Sequence, residues 1–133
     1  MQVTTIRTAT PSTTPFPVRA VDKARGLLLS ARDRVQPMID AGPKGNELAA
    51  VRRDVMTAVR LLSRATSVDV PFSHEMTDAL DHAFDAALAL SRAQRIVKHV
   101  DSGAAQSLQR DALMQAHRLL DRAYTSALAG THP

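Results

Sequence analysis

From Ser73 to Val100 the chain runs without a proline or a glycine, its longest uninterrupted stretch. Met76, Leu80, Ala83, Phe84, Ala87 and Leu90 recur there at steps of three and four, the period of one helix face. Asp78, Asp81, His82, Asp85 and Arg92 fall on the other side. The pattern predicts an amphipathic helix of about 40 Å at the standard rise. Such a helix has one dry face and needs partners.

Three other segments offer matching faces. A first helix is expected from about Val18 to Ile39, with Val21, Ala24, Leu28, Ala31, Val35 and Met38 forming a heptad-like seam. Pro37 lacks a backbone donor and should bend or end its last turn. The run Asp40-Ala-Gly-Pro-Lys-Gly-Asn46 is a clear break. A second helix follows, capped by Asn46, with Leu48, Val51, Val55, Ala58, Leu62 and Ala65 as its seam. It should end near Ser67, because Pro71 pushes Val70 out of the helical region. Ser73 is placed to cap the third helix. Asp101 or Ser102 is placed to cap a fourth, with Leu108, Ala112, Gln115 or Ala116, Leu119 and Ala123 as its seam. That helix should reach about Leu128 and stop at Gly130.

Composition agrees with an all-α chain. Hydrophobic residues make up 44% and aromatics only 3%, so alanine and leucine, both strong helix formers, supply the core. Four helices joined by short breaks are expected to form an antiparallel up-down-up-down four-helix bundle over 18–129, with a short tail at 130–133. Residues 1–17, rich in serine, threonine and proline with Arg7 as the sole charge, are expected to be disordered. Two uses are open for them: a frayed terminus, or an uncleaved export signal of the type III kind. A mitochondrial presequence would be more amphipathic and richer in arginine.

The sequence speaks against several kinds of chemistry. There is no cysteine, hence no disulfide framework, thiolate metal site or cysteine nucleophile. No apolar run approaches the ~18–20 residues of a membrane span. His82 lies among Asp78, Asp85, Glu75 and His74 at helical spacing, but metal-binding bundles repeat such ligands on a second helix and point them inward. No second helix repeats them here. No serine sits in a Gly-x-Ser-x-Gly elbow, and Gly42-Pro-Lys-Gly45 is too short for a phosphate loop. No histidine has the surround of a phosphotransfer bundle. No catalytic residue, metal or cofactor is therefore expected, and the chain reads as non-enzymatic.

Binding is the remaining class. The net charge is +4, which favours acidic surfaces. An up-down-up-down bundle would bring the first and third breaks to one end. Lys44 would meet Lys98 and His99 there, with Arg95 and Arg34 a turn away and Ile39, Pro43, Ile96 and Val100 as apolar neighbours. A cationic rim around apolar groups suits peripheral contact with anionic lipid. Arg52, Arg53, Arg60 and Arg64 could instead track nucleic-acid phosphates, but no recognition helix or stacking platform accompanies them, and no nucleic acid is expected. A different class stays open: a helical adaptor, chaperone or secretion-apparatus component that binds another protein through a helix face.

The bundle spanning Val18 to Leu128, its basic end and its Ser/Thr/Pro leader together resemble the membrane-localisation four-helix bundles of bacterial toxins and type III effectors, of the BteA-like lipid-targeting kind. The resemblance implies a secreted virulence module that docks on the phosphoinositide-rich cytoplasmic face of a host membrane. It implicates Lys44, Arg95, Lys98 and His99 as headgroup contacts, with Ile96 and Val100 as apolar ones. It further implies anionic lipids and a secretion chaperone as partners, a monomer or weak oligomer, and toxic chemistry in a larger protein beyond Pro133.

Overall fold

A computed structural model describes residues 16–67, 74–97 and 103–131. These form four helices and, among the described residues, no strand: α1 Phe16–Ala41, α2 Glu47–Ser67, α3 His74–Val97 and α4 Gly103–Thr131. The expected leader falls mostly on residues 1–15, outside the described residues, as do the proposed caps Ser73, Asp101 and Ser102.

Several helix ends differ from expectation. α1 begins at Phe16, two residues early. Pro17 fits the first turn because the amide it lacks would have no partner there. At the other end α1 passes through Pro37 and ends at Ala41. Gly42 then adopts φ +80° and donates its N–H to the Met38 carbonyl at 2.9 Å. This is a left-handed glycine cap, and Pro43 prevents continuation. α4 includes Gly130, the expected stop, and reaches Thr131.

The helices pack into one bundle. α1 lies against α2 and α4, and α3 against α2 and α4, with the α3–α4 interface the most extensive. Every expected seam residue of α1 and α2 is buried. In α3 the buried row is Met76, Ala79, Ala83, Ala86, Leu90 and Ala93, and Leu80 is only partly covered. Phe84, expected in the core, is 47% exposed. In α4 the row is Leu113, Ala116, Leu120, Ala123 and Ala127, while Leu108, also expected in the core, is 60% exposed.

The shift in α3 has a packing cause. Alanine supplies more than half of the buried positions, and small side chains let α3 and α4 approach closely. A row through Phe84 would hold the helices apart, so the alanine row turns inward and the phenylalanine turns out. No polar or charged side chain is buried among the described residues. The polar cross-links lie on the surface: Arg34 to Asp54, Arg32 to Asp121 at 2.8 Å, and Arg92 to Gln115.

Candidate functional site at one end of the bundle

The α1–α2 connection is a formed turn. Glu47 donates its N–H to the Lys44 carbonyl at 3.1 Å, and Gly45 adopts φ +54°, which glycine reaches without the Cβ clash of other residues. The Asn46 carbonyl accepts the first helical bond, from Ala50 at 3.0 Å, so Asn46 holds the capping position expected of it. The turn presents Lys44 exposed.

A chain of side-chain contacts links this turn to the other helices. Arg110 of α4 reaches Asp40 at 3.5 Å. Gln109 donates to the Ala93 carbonyl at 3.3 Å, and Arg52 Nε donates to the Gln94 carboxamide at 2.9 Å. The end of α1, the start of α2, the last turns of α3 and the first turns of α4 therefore share one level of the bundle. Between α1 and α4 at this level lies a cleft of about 660 Å³, lined by Met38, Ile39, Pro43, Gln106, Arg110 and Leu113 among others. A shallower groove of about 360 Å³ continues from Ile39 past Met114, His117 and Arg118.

The expected contact residues divide into two groups. Lys44 and Arg95 are exposed and Ile96 is half-buried, all at this level. Lys98, His99 and Val100 lie outside the described residues. Arg34, expected a turn from the tip, instead turns to α2 and pairs with Asp54. Asp40, an acidic neighbour of Lys44, is engaged by Arg110.

Sequence reasoning missed Leu108. It lies in the second turn of α4 at the same end and is the most exposed large apolar side chain among the described residues. A signal was present. Stepping back by three and four from Ala127 through Ala123, Leu120, Ala116 and Leu113 lands on Gln109, not Leu108. Gln109 takes the seam position because its amide finds the Ala93 carbonyl.

Elsewhere the ionisable groups are dispersed. Asp78, Asp81 and Asp85 are exposed and His82 is half-buried. No three His, Cys, Asp or Glu side chains gather into a metal-sized group among the described residues. Arg32 lies 5.7 Å from the Tyr124 ring centroid. Its hydrogen bond to Asp121 holds its pKa above the ordinary value. No helix of the described residues is long and apolar enough to cross a membrane. No family model, curated protein or solved structure matches the chain.

Proposed function

We propose that the chain is a non-enzymatic membrane-addressing module of a secreted bacterial effector, resting one end of an up-down-up-down bundle on the anionic cytoplasmic face of a host membrane. The observation that carries this reading is Leu108, exposed at the same end as Lys44 and Arg95. A leucine held in water by a packed helix has apolar surface to bury, and cations beside it supply attraction to phosphoinositide headgroups. Ile96 is a further apolar contact, and Lys98, His99 and Val100 follow after Val97 in the chain.

The up-down order has its own support. Residues 68–73 between α2 and α3 can extend about 25 Å from helix end to helix start, while α2 is about 31 Å long, which favours α3 returning alongside it. The five-residue connection Gly42–Asn46 favours the same for α1 and α2. From Arg32–Asp121 to Asp40–Arg110, contacts advance along α1 and retreat along α4.

Each basic group near an anionic surface contributes about 1 kcal/mol, and a fully buried leucine about 1.5–3 kcal/mol. One tip then binds weakly and reversibly. The test is co-sedimentation with phosphatidylcholine vesicles made with and without phosphoinositide. Removing charge at Lys44, Arg95 and Lys98 together is expected to weaken binding about 100-fold. Binding unaltered by that triple change, and by Leu108→Ser, would eliminate the tip.

A further inference from the structure

The side of the bundle where α2 meets α3 carries an apolar ridge that the membrane reading does not use. Phe84 and Leu88, one turn apart on α3, are 47% and 45% exposed. The α2-facing edge of α3 is marked by Leu80, packed on the core, and by Gln94, bonded to Arg52. Phe84 and Leu88 lie one step outward from that edge. Met56, one turn beyond Arg52 on α2 and partly buried against the core, borders the same ridge.

Charge is divided across it. The acids of α2 belong to its other side: Asp54 pairs with Arg34 of α1, and Glu47 lies two turns back on the same strip. The outer surface of α2 carries exposed Arg53 and Arg60. The outer surface of α3 beside the ridge carries exposed Asp81 and Asp85. The Arg52–Gln94 contact sets the register: eight residues on along α2 is Arg60, and eight residues back along α3 is Ala86, next to Asp85. One flank is therefore basic and the other acidic at the same height.

We infer that this ridge is a homodimer interface in which a second copy of the chain packs face to face about a two-fold axis parallel to the helices. That operation sets Phe84 and Leu88 against their own copies. It places α2 of each chain opposite α3 of the other, so Arg60 meets the partner's Asp85 twice per dimer. A bilayer is the poorer occupant, because Asp81 and Asp85 would be repelled by anionic lipid. Toward the Lys44 end, Arg95 faces the partner's Arg53, so the two copies close tightly at the Phe84 end and diverge at the other. Because the axis runs along the helices, both tips point the same way and can rest on one surface together, which converts two weak contacts into avid binding.

The experiment is sedimentation equilibrium of the full chain over a range of concentrations without lipid, so its outcome is independent of membrane binding. A monomer–dimer equilibrium is expected. Phe84→Ser with Leu88→Ser should abolish it while circular dichroism and melting temperature stay close to those of the parent. Arg60→Asp and Asp85→Arg, each alone, should weaken self-association about tenfold or more. Mixing these two variants should restore a heterodimer, because each supplies the charge that the other lacks. A monomer at every concentration overturns the proposal, even if the ridge takes up a helix from another protein. So does a dimer indifferent to the serine pair, or a mixture that fails to associate.

Discussion

Leu28 of α1 is fully buried among close-packed helices, so truncating it leaves a cavity that the backbones cannot readily collapse to fill. Leu28→Ala is expected to cost about 2–5 kcal/mol in urea unfolding. Phe84→Ser removes more apolar bulk from a half-exposed position, and its expected cost is under about 1 kcal/mol. The core placement expected from periodicity alone would have made it about 3–5 kcal/mol for an aromatic truncation. The reverse experiment is Ala86→Leu. Ala86 is fully buried, and a larger side chain must push α3 off its neighbours, at about 1–3 kcal/mol. The exposure of Phe84, against its periodicity, has a plain reason. Along an alanine-rich helix two apolar stripes compete, and the larger residues draw the eye. Packing decides by how closely backbones can approach, which side-chain size alone does not announce.

At the level of single helices, α1 contains two positions whose backbone chemistry can be tested. Pro37 lies inside the helix and is exposed, so no N–H reaches the Asp33 carbonyl. Pro37→Ala is expected to restore that bond and stabilise the fold by about 1–3 kcal/mol, seen as a raised melting temperature. Gly42→Ala should do the opposite. The residue's φ of +80° is costly for any side chain with a Cβ, and about 1–2 kcal/mol of stability should be lost. The seams of α1 and α2 were fully legible because valine, leucine and methionine alternate there with arginine and aspartate, leaving one apolar stripe to choose. The ends were less so. Pro37 and Gly130 are breakers by intrinsic preference, yet Met38 next to Pro37 and Ala127 about one turn before Gly130 are buried, and that burial outweighs preference.

For the molecule as a whole, the proposed function depends on which side chains four helices bring to one end. The breaks alone lead the sequence reading to expect one shared end, and contacts among Asp40, Arg52, Ala93, Gln94, Gln109 and Arg110 link all four helices. Lys44 and Arg95 stand out in the sequence as cations near helix ends, Lys44 being one of only three lysines, and both are exposed. Leu108 does not stand out in this way, although the stepping of α4 back from Ala127 already lands on Gln109 in its place. Raising the salt concentration is expected to weaken vesicle binding by the parent protein more steeply than binding by a variant lacking charge at Lys44 and Arg95. Leu108→Ser should weaken binding while leaving that salt slope unchanged.

The alanine rows have one more consequence. A methyl group has no rotamers and little relief, so an interface lined with alanines grips only weakly along its length, and α3 could slide past α4 by a turn and still find methyl against methyl. What prevents this is the few bulky pins among them, Met76, Leu90, Leu113 and Leu120, all fully buried. Their spacing acts as a key that fits one alignment, and whatever keeps Leu108 and Arg95 level with each other is set there, more than a turn away from either.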